Sequence, residues 1–228
     1  MDSGDWIKLI LMMAAILVVT VVVVSIGAYL FLRVFANILN SRQSIWEGTA
    51  TPLGFTADRT RGGIYKTLAG ERNGFKIEIN HAGLNPRMVG KMAVTDDGAE
   101  VRVFLPKPLG FPFELAKREM LYEKVGAYFD ESSIGHEAFE NVFKISSPDT
   151  SSVAEILSVE MLDGETPTVL TDMMVAANNN NRVVVTHQSV ALTKEITMGK
   201  ADTIDRTIDR AIYLAERFAK AAEKLARP

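Results

Sequence analysis

The sequence predicts an α+β fold: one N-terminal transmembrane helix, then an antiparallel sheet domain with a long C-terminal helix packed on it. Three observations predict it. The run Leu9 to Leu32 contains no charge. The dipeptides Asn73-Gly74 and Asp97-Gly98 each lie between alternating apolar and polar residues. Ile204, Ile208, Ala211, Ala215, Phe218, Ala222 and Leu225 recur at intervals of four and three.

The charge-free run is about 24 residues, or roughly 36 Å of helix, against a hydrocarbon core of about 30 Å. Inside a bilayer a lone span satisfies its backbone only as a helix. A cleavable signal peptide has a basic start, a shorter apolar region and small residues at its end. Here the start is Met-Asp-Ser-Gly-Asp-Trp, and bulky Tyr29, Leu30, Phe31 and Leu32 follow Gly27-Ala28. The expectation is an uncleaved anchor. Trp6, Lys8, Tyr29 and Arg33 fall where interface residues belong. Arg33 and Arg42, with Arg59 and Arg61 beyond, outnumber Lys8, which predicts an outer N-terminus and a cytoplasmic C-terminal domain. No Asp, Glu, Lys, Arg or His lies within the run, so it predicts an anchor and not an ion path.

Val34, Phe35, Ile38, Leu39, Ile45 and Trp46 keep a helical rhythm, which predicts an amphipathic stalk. The expected organisation is a tail over 1–8, a membrane helix over 9–32, a stalk over 33–48 and an α+β domain over 49–228.

Asn-Gly is the favoured two-residue hairpin turn because both positions need φ > 0. It sets Arg72 opposite Phe75, Gly70 opposite Ile77 and Leu68 opposite Ile79. Asp97-Gly98, read in the same way, sets Val94 opposite Val101 and Met92 opposite Val103. The prolines in Leu105 to Phe113 predict an extended loop. Glu114 to Tyr128 reads as a helix with Leu115, Met120, Leu121 and Val125 on its apolar side. Phe139 to Ser146 alternates as a strand. Asp149 caps a helix through about Val159, and Thr166-Pro167 opens another with Thr166 as cap, stopped at Asn178 to Asn181. Arg182–Thr186 and Val190–Ile196 form a last hairpin. The C-terminal stripe, capped by Asp202, covers fewer than four heptads and follows a β-rich region, so it predicts packing on the sheet over a coiled coil.

Composition excludes several functions. There is no cysteine, hence no disulfide, thiolate metal site or cysteine nucleophile. Net charge is −3 with no basic block, which argues against nucleic acid. His81, His136 and His187 belong to no metal-binding spacing, and Asp96-Asp97 sits in an expected turn. No P-loop, nucleophile elbow, dinucleotide fingerprint or zincin motif is present. The expectation is no cofactor, no metal and no catalytic residue.

Leu109, Phe111, Pro112 and Phe113 form the best candidate interaction loop, aromatic and stiff. The competing reading folds Phe111 and Phe113 back onto the core. An enzyme or small-ligand binder would place His81, His136, Arg102 and Asp172 around one pocket between the sheet and the C-terminal helix.

Trp46-Glu-Gly-Thr-Ala, Leu53-Gly-Phe, Leu68-Ala-Gly with Asn73-Gly-Phe, Gly135…Phe139-Glu-Asn-Val-Phe143-Lys-Ile, Ser147-Pro-Asp and Ile156-Leu157 follow one another in order. From Trp46 onward the chain resembles an uncharacterised family of bacterial, membrane-anchored domains. It departs from that pattern at Glu140, where an aspartate is expected. The resemblance implies a bacterial inner-membrane location and brings no catalytic residue. The functional expectation is an accessory or scaffold subunit whose partners are the lipid bilayer and a protein, or a second copy of the chain. A lipid-interface role for Leu109 to Phe113 is a further alternative.

Overall fold

The computed structural model describes residues 3–58, 67–89, 92–118, 131–161, 166–195 and 201–226. The chain divides into two compact units, Met1–Ser44 and Ile45–Pro228. Helix α1 (Ser3–Ala50) is a single helix of 48 residues. The apolar run and the rhythm that follows it therefore share one helix.

The second unit is built on a nine-stranded sheet, with every described pairing antiparallel. Its strands are β1 (Thr56–Asp58), β2 (Thr67–Arg72), β3 (Phe75–Val89), β4 (Met92–Phe104), β5 (Glu114–Lys117), β6 (Glu131–Ser132), β7 (Phe143–Ser146), β8 (Arg182–Thr186) and β9 (Ser189–Glu195). Their spatial order is β1-β2-β3-β4-β9-β8-β5-β7-β6. Four helices complete the unit: α2 (Glu137–Glu140), α3 (Thr150–Ser158), α4 (Val169–Asn179) and α5 (Ala201–Leu225). The α+β class is as expected.

The β2–β3 hairpin has the predicted register, with Arg72 opposite Phe75, Gly70 opposite Ile77 and Leu68 opposite Ile79. Asn73 (φ 53°) and Gly74 (φ 78°) supply the two positive dihedrals that the turn needs.

The second predicted hairpin is corrected. Val94 lies opposite Arg87 and Met92 opposite Val89, while Val101 and Val103 face Ile79 and Ile77. Asp97 and Gly98 sit inside β4, opposite Gly83 and Ala82. The reason is competition for edges. Val101 is bonded to β3 on one side and, through Leu192, to β9 on the other. A turn at Asp97-Gly98 would fold β4 onto itself and displace one of them.

Residues 114–117 are also corrected, from helix to strand. β5 lies between β8 and β7, with Leu115 opposite both Val185 and Ile145 and fully buried. Two strand partners outweigh a local helical rhythm. Met120, Leu121 and Val125, which suggested the helix, lie outside the described residues. The strand predicted over Phe139 to Ser146 divides into α2 and β7. Phe139 and Phe143 are both fully buried and stack at 4.7 Å. A spacing of four fits both a strand and a helical turn, so alternation alone did not separate the two.

Asp149 caps α3 as expected, accepting from the Ser152 amide. The cap of α4 is Thr168, two residues later than predicted. The Met161 amide donates to the Pro167 carbonyl, and Glu160 bridges to Thr168, which keeps this stretch extended. Asn180 caps the other end of α4. The β8–β9 hairpin is as expected, with Ile196 outside the described residues. Asp202 lies in the first turn of α5, after Ala201, not at a cap.

Helix α5 packs on β4 and β9, and α3 and α4 pack against α5. Ile204, Ile208, Ala211, Ala215 and Phe218 are buried, Ala222 is half-buried and Leu225 is exposed. Phe113 stacks on Phe218 with centroids 6.2 Å apart. A side chain of this size contributes about 1.5–3 kcal/mol when fully buried.

Candidate functional site

The residues Leu11–Val34 form the one described helix long and apolar enough to cross a membrane, with mean hydropathy 2.7 and none of it buried. By length and composition such a helix fits a membrane anchor or a signal sequence. Thr20, the polar side chain near its middle, donates its hydroxyl to the Ile16 carbonyl at 2.8 Å. That bond satisfies the hydroxyl within the helix, as an apolar surrounding requires. Trp6, Tyr29 and Arg33 are exposed on α1. Lys8 is in the helix, with its side chain outside the described set.

In the globular unit, most polar side chains with clear partners are engaged structurally. Asp172 on α4 is 0% exposed and Arg217 on α5 is 2% exposed, with 2.6 Å from Arg217 Nε to Asp172 Oδ2. Tyr213 donates its hydroxyl to the other carboxylate oxygen at 3.1 Å, and a second guanidinium nitrogen donates to the Thr166 carbonyl at 2.7 Å. Arg217 lies over the Tyr213 ring at 6.0 Å. The cluster fastens α4 and the strand-like stretch before it to α5. Sequence reasoning missed it. The available signal was a cation beside Phe218 on the buried stripe, four residues after Tyr213.

His136 is the N-cap of α2, its Nδ1 accepting from the Phe139 amide at 3.2 Å. The Glu140 carboxylate accepts from Ser133 Oγ and from the Ile134 and His136 amides. The Ser133 hydrogen bond leads in holding that carboxyl below the usual glutamate range, helped by the amides. Glu140 therefore closes the loop around Gly135, which has φ 76°. Arg102 pairs with Glu100 on its own strand at 2.9 Å and is 43% exposed. Such a surface pair contributes about 0–1 kcal/mol.

The four residues proposed for a shared pocket thus have separate settings. Arg102 lies opposite Glu78, three positions along β3 from His81, so the pleat puts Arg102 and His81 on opposite faces. His136 caps α2, and Asp172 is enclosed by Arg217 and Tyr213. Among the described residues no group of three or more His, Asp or Glu is arranged to hold a metal ion. An open groove at the ends of α3 and α5 is lined by Glu155, Ser158, Val159, Glu160, Lys224 and Leu225. Lys224 crosses it to donate to the Glu160 carbonyl at 2.8 Å.

The aromatic loop folds inward. Leu109 and Phe113 are buried, Phe111 is half-buried against the core, and Pro112 is exposed. Phe111 and Phe113 lie 5.4 Å apart, and the Pro112 carbonyl accepts from Ser147 Oγ. Two of the four candidate contacts are therefore core residues. Phe111 and Pro112 supply what apolar surface the loop retains.

No family model matches the chain, and no curated protein matches it. One solved structure is similar, the crystal structure of the mycobacterial trehalose monomycolate transport factor A, TtfA. It is 10% identical over 77% of this chain and 90% of that one, with a TM-score of 0.44. A likeness of that degree carries no argument here. The described groups supply an unburied apolar helix and, within the second unit, buried aromatic and ionic contacts that join its own elements.

Proposed function

We propose that this chain is a single-pass, membrane-anchored accessory or scaffold subunit whose α+β domain binds a protein partner in a membrane complex. The observation that carries the reading is α1: an unburied apolar segment of 24 residues leading into a folded domain. An apolar surface of that length costs too much in water to be left without lipid. The domain supports a binding role over a catalytic one, because Asp172 and His136 are engaged by the fold itself. The compartment is a bacterial cytoplasmic membrane. Arg33 and Arg42 on the C-terminal side, against Lys8 on the other, favour an outer N-terminus and a cytoplasmic domain.

The test is crosslinking of the full chain in native membranes, followed by mass analysis of the detergent extract. A defined heteromeric species is expected. Recovery of monomer alone, under conditions that preserve known complexes in the same extract, would sink the proposal. The absence of cysteine permits single introduced cysteines to report the side of the membrane. Protection of Lys107→Cys from an impermeant reagent added outside the cell is the expected result.

A further inference from the structure

Asn73-Gly74 is the one Asn-Gly pair in the sequence. An asparagine amide is open to attack by the main-chain nitrogen of the residue that follows. Glycine has no side chain and hinders that attack least. Asn73 and Gly74 are both exposed to water. A Cβ built on Gly74 would meet nothing within 4 Å. Access to the pair is therefore open, and its conformation decides whether it reacts.

Ring closure needs the Gly74 nitrogen on the same side of the Asn73 Cα–C bond as Cβ. Asn73 at φ 53° and Gly74 at φ 78° join two strands through a two-residue loop, which makes the turn type I′. The first central residue of such a turn has ψ of about +30°. That torsion sets the Gly74 nitrogen nearly opposite Cβ, so the reacting atoms meet only when the turn opens. Both strand ends resist opening. Arg72 donates to Asp205 of α5 at 2.7 Å and to Asp209 at 3.1 Å. Phe75, opposite Arg72, is buried.

We propose that Asn73 is a deamidation site, protected by the closed β2–β3 turn, with water as the co-reactant. In the open turn the Gly74 nitrogen bonds to Asn73 Cγ and the Cγ–Nδ2 bond breaks. The side-chain nitrogen leaves as ammonia, carrying the proton that Gly74 gives up, and a five-membered succinimide remains. Water then adds to either ring carbonyl and reopens the ring as aspartate or as β-linked isoaspartate. Nothing is oxidised or reduced. Either product places a new negative charge two residues from Glu71. The β-linked product also lengthens the main chain by a methylene between 73 and 74. A two-residue turn has no room for it, because loop length fixes the register of a hairpin. Modification therefore makes a transient opening permanent.

The test holds the full chain in detergent in mildly alkaline buffer, either folded or unfolded in guanidinium chloride. Mass analysis of proteolytic fragments follows the amide-to-acid mass gain at position 73. Electron-transfer fragmentation separates the two products. Deamidation in the folded chain should be roughly tenfold slower or more, because only its rare open fraction reacts. Arg72→Ala frees the strand end from α5 and should raise the folded rate severalfold, with the unfolded rate unchanged. Asn73→Gln closes a larger ring with difficulty and should lose the signal in both states. Equal rates in the folded and unfolded chains overturn the protection by the turn. An unfolded chain that keeps its amide at 73 overturns the site itself. A folded rate that Arg72→Ala leaves unchanged overturns the role of the contact with α5.

Discussion

The β2–β3 and β3–β4 hairpins share a strand and were built by different forces. In the first, Asn73-Gly74 both starts the turn and agrees with the pairing of Leu68 to Ile79 and Gly70 to Ile77. Local and long-range preferences coincide there, and the register follows. In the second, an equally favourable dipeptide, Asp97-Gly98, is drawn into a strand that is bonded along both edges. Turn chemistry decides a hairpin when nothing else competes for its strands. A central strand has two competitors. Strand β3 contains both regimes, bonded to β2 and β4 from Phe75 to Ile79 and, among the described residues, to β4 alone from Gly83 to Val89.

The largest expected effect sharpens the contrast within that one strand. Ile79 is fully buried, so Ile79→Ala should cost about 2–5 kcal/mol in urea denaturation. Lys76→Ala, at an exposed position of the same strand, should stay within about 0.5 kcal/mol. Equal losses would show that burial does not set the difference between the two positions.

A comparable test of the first hairpin is Gly70→Ala. A Cβ there would run into the ring of Phe55, itself buried. The ring must move, and a loss of about 1–3 kcal/mol is expected in the same assay. Gly74→Ala meets no atom but forces alanine to φ 78°. A loss of roughly 1–2 kcal/mol is expected, and none would mean that the turn relaxes to another type.

The smallest effects lie outside both hairpins and depend on pH. Ser133 holds the Glu140 carboxyl low, and Ser152 does the same for Asp149. A depressed folded pKa stabilises the fold above the unfolded value, and that stability is lost as pH falls through the folded one. Glu140→Gln and Asp149→Asn should therefore flatten the acid limb of a stability–pH curve. Glu114 has the opposite sign. Burial raises its carboxyl, opposed by Lys144. Its favourable contribution is present below the unfolded value and is lost as pH rises through the folded one. Glu114→Gln should slightly raise the melting temperature near neutral pH and leave it unchanged in acid.

Covalent neighbours and short-range periodicity were enough for the apolar helix, the Asn73-Gly74 turn, the Asp149 cap, the β8–β9 hairpin and the buried stripe of α5. Each depends on residues within a few positions, so its physics is readable along the chain. The strand at Glu114–Lys117 and the Asp172–Arg217 pair depend on partners dozens of residues away, and the delayed start of α4 depends on Glu160, which bridges to Thr168. The candidate contacts divide in the same way. Leu109 and Phe113 fit either an interaction loop or the core until Phe218, more than a hundred residues on, supplies a surface for Phe113. The place of Gly98 inside β4 was decided by β9, which bonds that strand as far as Gly98, opposite Glu195, because an edge already bonded to one strand is closed to another.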